Sequence, residues 1–63
     1  MLQYVYTTDM IIIFDDEFEV QMRDSLDKAV NKIEWASDTY GFSKADVISA
    51  ETGEILITWT EVL

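Results

Sequence analysis

Residues 10–24 read Met10-Ile11-Ile12-Ile13-Phe14-Asp15-Asp16-Glu17-Phe18-Glu19-Val20-Gln21-Met22-Arg23-Asp24, and the period of the second half of this stretch decides the fold. Met10 to Phe14 is apolar at every position with three isoleucines at its centre, the pattern of a strand buried on both faces. Asp15-Asp16 interrupts it with charge. Beyond that break, a helix would use Asp16 and Glu19 as a capping box. A strand would instead set Phe18, Val20 and Met22 on one face against Glu17, Glu19, Gln21 and Arg23 on the other, a period of two. The helix scatters the three apolar residues around its cylinder, so the strand is preferred.

Working outward, Leu2 to Thr7 alternates and reads as a further strand, with Thr8-Asp9 as a bend before Met10. On the other side, Asp24 or Ser25 caps a helix over about 25–40, with Asp27 in its first turn, where the helix dipole favours an anion. Leu26, Ala29, Val30, Ile33, Ala36, Ser37 and Tyr40 form one stripe at helical spacing. Asp24 and Lys28 are spaced for an i,i+4 ion pair. Gly41 suits the left-handed residue that ends a helix, and Phe42 is placed to pack back on the last turn. Asp46–Ala50 and Ile55–Thr60 read as two more strands joined by Glu51-Thr52-Gly53-Glu54, where Gly53 allows a positive φ. The expected fold class is α+β. It is one domain over residues 1–63, an antiparallel sheet of four to five short strands with one helix on one face, in order β-β-β-α-β-β.

Composition narrows the chemistry. The chain has 63 residues, no cysteine, no histidine and no proline, with Gly41 and Gly53 as its glycines. Disulfides and thiolate metal sites are therefore absent, and so is the commonest general base. A core of this size contributes at most about 3–5 kcal/mol of net stability, so packing quality or a second chain must compensate. The Met10–Phe14 run is far short of the roughly 20 residues that span a bilayer. Met1-Leu2-Gln3 lacks the basic region of a signal peptide. A cytoplasmic location is expected, in a bacterial host if the chain is phage-encoded.

Thirteen acidic against four basic residues give a net charge of −9. Such a field repels nucleic acid and anionic membrane and draws in basic surfaces. The bases Arg23, Lys28, Lys32 and Lys44 are too few to bind nucleic acid directly. Asp15, Asp16, Glu17 and Glu19 make the densest acidic corner. It lacks the spaced oxygen ligands and glycine of a calcium loop, so no metal site and no cofactor are expected. A glycosidase-like carboxylate pair needs a cleft for which a domain this small has little room. There is no phosphate loop, nucleophile elbow or His/Cys dyad, so the expectation is a protein that is not an enzyme and acts by binding.

Two apolar features point to partners. One helix covers one face of a sheet, and that face is assigned Ile12, Phe14, Val20, Met22, Ile55, Ile57 and Trp59. Val5, Ile11, Ile13, Ile48 and Leu56 remain for the far face, which either the sheet's own curl, the N-terminal strand or a second chain must cover. A homodimer through this spare face is favoured. Trp35 falls almost opposite the apolar stripe of the helix, near Lys28, Asn31, Asp38 and Thr39. A terminal segment or the stems of Lys28 and Lys32 could shelter it, or it is an interface anchor. The candidate partner-binding residues are Trp35, Asp15, Asp16, Glu17, Glu19 and Asp38.

The stretch Ser25-Leu26-Asp27-Lys28-Ala29-Val30, followed by Trp35-Ala36, Gly41-Phe42, Ala45-Asp46-Val47-Ile48 and Ala50-Glu51-Thr52-Gly53-Glu54-Ile55, resembles short phage and bacterial proteins built of a helix and a hairpin. In size and acidity the chain is similar to small phage-encoded inhibitors, such as anti-CRISPR proteins and inhibitors of host RNA polymerase. That resemblance implies a nucleic-acid mimic, an acidic inhibitor that occupies the basic surface of a nucleic-acid-binding enzyme. The alternatives are a self-associating structural or regulatory module and an antitoxin-like masking protein.

Overall fold

The structure, a computed structural model, describes residues 6–62. It contains β1 (Thr8–Phe14), β2 (Phe18–Asp24), α1 (Leu26–Tyr40), β3 (Lys44–Ser49) and β4 (Ile55–Thr60). The strands form one sheet in the order β2-β1-β3-β4, antiparallel at every junction. The fold is α+β, as expected. The additional N-terminal strand was placed on residues 2–7. Residues 2–5 of it lie outside the described residues, and Tyr6 and Thr7 are not in a strand. Thr8 and Asp9 do not bend. They open β1 opposite Asp24 and Arg23, held by an Arg23–Asp9 ion pair at 3.7 Å and by the Ala50 N–H donating to the Asp9 carbonyl at 3.0 Å.

The strand reading of Phe18–Asp24 holds, and the turn before it shows why. Asp15 and Asp16 both adopt positive φ, 51° and 60°, a conformation that aspartate tolerates better than most side chains. The Glu17 N–H closes the turn onto the Phe14 carbonyl at 2.9 Å. Asp15 then reaches across to the segment leaving the helix. Its Oδ1 accepts the backbone N–H groups of Ser43 at 2.9 Å and Lys44 at 3.0 Å, while its own N–H donates to the Lys44 carbonyl at 3.0 Å. Lys44 Nζ lies 2.6 Å from Asp16 Oδ2. That hydrogen bond, with the charge of Asp16, raises the Lys44 pKa above its ordinary value. The clamp also explains why β3 starts at Lys44 rather than at the expected Asp46.

Ser25 caps α1, its Oγ accepting the Lys28 N–H at 3.3 Å. Asp24 ends β2 and accepts the Ser25 N–H at 2.8 Å. With that carboxylate engaged, the expected Asp24–Lys28 pair is not among the ion pairs of the described residues. At the other end Gly41 is left-handed, φ 79°, and its N–H donates to the Ser37 carbonyl at 2.8 Å. Ser37 Oγ donates to the Phe42 carbonyl at 2.6 Å, turning Phe42 back under the helix.

The core lies between α1 and the two central strands. Met10, Ile12 and Phe14 of β1, Ala45 and Val47 of β3, and Ala29, Ile33 and Ala36 of α1 are all buried. Val20 and Met22 of β2, Leu56, Ile57 and Trp59 of β4, and Phe42 pack at its margins. Two of the expected facings at β4 are reversed. Val47 pairs with Ile57 but Ile48 pairs with Ile55, so two β4 residues oppose one of β3. This bulge breaks the alternation, turning Leu56 to the core and leaving Ile55 61% exposed. The far face therefore carries Ile11, Ile13, Ile48 and Ile55. Val5, also assigned there, lies outside the described residues.

Removing the Asp15 clamp should be measurable by urea unfolding. Asp15→Ala orphans two backbone donors and should cost about 1–3 kcal/mol. Asp15→Asn keeps the turn conformation and one acceptor oxygen, and should cost less.

Candidate functional site

Four strands are wider than one helix, and α1 lies over the middle of the sheet. The β2 side of the helix-bearing face is left as a groove of about 550 Å³, lined by Phe14, Phe18, Glu19, Val20, Lys32, Trp35, Ala36, Tyr40 and Phe42. Its aromatic rings form a connected chain. Phe42 stacks on Phe14 with centroids 4.7 Å apart and meets Phe18 at 5.5 Å and Tyr40 at 5.9 Å. Tyr40 meets Trp35 edge-on at 5.7 Å and 87°. These separations and the edge-to-face contact suit the quadrupoles of aromatic rings.

The inner rings of this chain are sheltered and the outer ones are not. Phe14 is buried, whereas Phe18 and Trp35 are each 56% exposed and Tyr40 is 65% exposed. The local reasons differ. Phe18 opens β2, an edge strand beyond the reach of α1. Trp35 projects from the flank of the helix, and Tyr40 sits in its last residue, past the sheet. Tyr40 was expected in the buried stripe. So was Leu26 at the opposite end, which is also exposed. The stripe is buried only at Ala29, Ile33, Ala36 and Ser37, where α1 crosses β1 and β3.

Carboxylates lie around the groove. Glu19 borders it, but the two-residue period of β2 sets its side chain on the face of its partner Ile13, away from the helix. The turn bearing Asp15, Asp16 and Glu17 joins Phe14 to Phe18, so the acidic corner closes one end. Asp38 lies on the other flank of α1, in a shallower depression with Asn31, Glu34, Trp35, Ser37, Gly41, Trp59 and Glu61. Trp35 borders both depressions and is the point where they meet. The structure thus sets Trp35 in the groove with the Asp15–Glu17 turn at its end, sends the Glu19 side chain to the far face, and places Asp38 across the helix. Asp15 and Asp16 are the two of these already engaged in holding the fold, whereas Glu17 and Glu19 are exposed and free of any ion pair among the described residues. Lys32 is the cation at the groove wall.

Three residues of this site went unnoticed as a group in the sequence. Phe18, Tyr40 and Phe42 each had a structural reading of their own, as strand face, helix stripe and cap. Their convergence depends on the tight Asp15-Asp16 turn and the Gly41 helix end bringing separate segments together. No group of acidic residues is arranged to hold a metal ion among the described residues. No helix there is long and apolar enough to cross a membrane. Comparison with known protein families, characterised proteins and solved structures finds no match.

Truncating exposed and buried rings should separate site from core. Trp35→Ala should lower unfolding stability by about 0.5–1.5 kcal/mol, the size of one aromatic pair. Phe14→Ala, which empties the inner end of the same chain, should cost about 3–5 kcal/mol.

Proposed function

We propose that the chain is a non-catalytic binding protein that docks on a basic protein surface and seats an apolar or aromatic side chain of its partner in the groove between α1 and β2. The observation that carries this reading is the juxtaposition of Trp35, Tyr40 and Phe18, each more than half exposed, with the acidic Asp15–Glu17 turn that closes one end of the groove. Exposed aromatic rings supply the contact area of an interface anchor. The acidic frame and the net charge of −9 supply long-range attraction and select against acidic partners.

The partner class that fits best is a nucleic-acid-handling enzyme, because its working surface must be basic to neutralise phosphates. A chain that occupied such a surface would act as an inhibitor by competing with nucleic acid, as in phage anti-defence or host takeover. An antitoxin-like masking role rests on the same charge pattern. Self-association is a second reading, favoured by Ile11, Ile13, Ile48 and Ile55 on the sheet face away from the helix.

The test uses purified wild-type chain and Trp35→Ala against a panel of nucleic-acid enzymes, including bacterial RNA polymerase and RNA-guided nucleases. The expected result is binding to at least one that weakens as salt rises and is displaced by nucleic acid. Trp35→Ala should weaken it by at least about tenfold, or roughly 1.4 kcal/mol, with circular dichroism unchanged. Absence of binding across the panel, or binding indifferent to both salt and Trp35→Ala, would contradict the proposal.

A further inference from the structure

The two edges of the sheet are built differently. β2 carries Glu19, Arg23 and Asp24, and β1 and β3 carry Asp9, Lys44 and Asp46. β4, Ile55-Leu56-Ile57-Thr58-Trp59-Thr60, is the one strand of the four without a charged residue. Edge strands are ordinarily protected by charge or proline, because their unpaired N–H and C=O groups are a template for another strand. β4 has neither. Among the described residues no strand pairs with its outer side.

The hydrogen-bond polarity of β4 is fixed by its partner. The Glu61 N–H donates to the Ser43 carbonyl at 2.8 Å, and the register sets Ala45 opposite Trp59 and Val47 opposite Ile57. Alternation along an antiparallel ladder then turns the backbone groups of Ile57 and Trp59 toward β3 and those of Thr58 and Thr60 outward. Side-chain facing alternates with the same period. Ile57 and Trp59 pack toward the helix side, so Thr58, opposite Asp46, lies on the far face.

We propose that β4 is the self-association edge of this protein, pairing antiparallel with β4 of a second copy about a two-fold axis at Thr58. In that register the two Thr58 residues exchange both backbone hydrogen bonds, and Ile57 lies beside the partner's Trp59 on the helix side. A second copy is the occupant that the strand fits, because Ile57 and Trp59 flank Thr58 on one face and the two-fold sets each against the other. A surface made for a basic partner carries carboxylates, as the Asp15–Glu17 turn at the end of the groove does. Repulsion between two chains of net charge −9 is least where the meeting strands carry no charge, and β4 is the one strand of the four that meets this. Pairing joins the two sheets into one of eight strands with both helices on the same side. The two aromatic grooves, at the outer β2 ends, would then be separated by about 30 Å at the usual strand spacing of roughly 4.8 Å, which makes the dimer bivalent toward an extended partner.

The experiment combines sedimentation equilibrium with a single-cysteine probe. Thr58→Pro removes an outward N–H, which an edge strand tolerates. It should weaken the dimer by at least about tenfold while leaving circular dichroism unchanged. Because the chain has no cysteine, Thr58→Cys reports on the axis directly. Opposed Cα atoms of such a pair lie about 5.5 Å apart, within disulfide reach. Thr58→Cys should form disulfide dimers under mild oxidation, and Gln21→Cys, on the β2 edge, should not. If Thr58→Pro fails to fold, the cysteine pair decides alone. A wild-type monomer at all concentrations, a dimer unaffected by a folded Thr58→Pro, or equal cross-linking at Gln21→Cys overturns the proposal.

Discussion

One helix cannot cover four strands, and most of what is distinctive here follows from that mismatch. An α-helix with its side chains is about 10–12 Å across, while four strands spaced about 4.8 Å apart span a wider face. α1 therefore seals the middle of the sheet. Met10, Ile12, Ile33 and Val47 are among the residues almost wholly removed from water. β2 and β4 receive only partial cover on either side. Among the described residues there is no second helix to lay beside the first, so Phe18, Trp35 and Tyr40 remain in contact with solvent beside a buried aromatic base. The incomplete core and the candidate binding site are the same feature seen from two sides.

Charge organises the remainder. Acidic residues occupy the turns, the outer flank of α1, β2 and the far face, and two of them also hold the chain together. Asp15 binds the backbone of Ser43 and Lys44, and Asp16 pairs with Lys44. These contacts fix the β1–β2 turn against the residues leaving the helix, which is what brings Phe18, Tyr40 and Phe42 within ring-packing distance. The acidic corner thus acts at two levels, as a structural clamp through Asp15 and Asp16 and as a negative rim at the turn through Glu17.

Much of the fold was legible because the local signals agree with one another. The two-residue period of Phe18, Val20 and Met22, the Ser25 cap, the Gly41 helix end and the Gly53 loop all match their places in the structure. The errors came where long-range pairing decides. Thr8 and Asp9 lack strand character by themselves and join β1 through Arg23 and Ala50. The facings of Ile55 and Leu56 were reversed by a bulge that has no signature in the sequence of β4. Tyr40 and Leu26 follow the apolar period of α1, yet they lie beyond the strands that would bury them. In the site, Trp35 was visible because it breaks the helical stripe. The aromatic chain was not, since Phe14, Phe18, Tyr40 and Phe42 each satisfy a local pattern and only the turns bring them together.

The most direct measurement of the central claim, that the half-covered sheet leaves an open aromatic groove in an acidic frame, is quenching of Trp35 fluorescence in a Trp59→Phe variant. The account predicts red-shifted emission that caesium quenches more effectively than iodide, because carboxylates around the ring concentrate cations and exclude anions. Blue-shifted emission that neither ion quenches, or quenching in which iodide is the stronger, would contradict it.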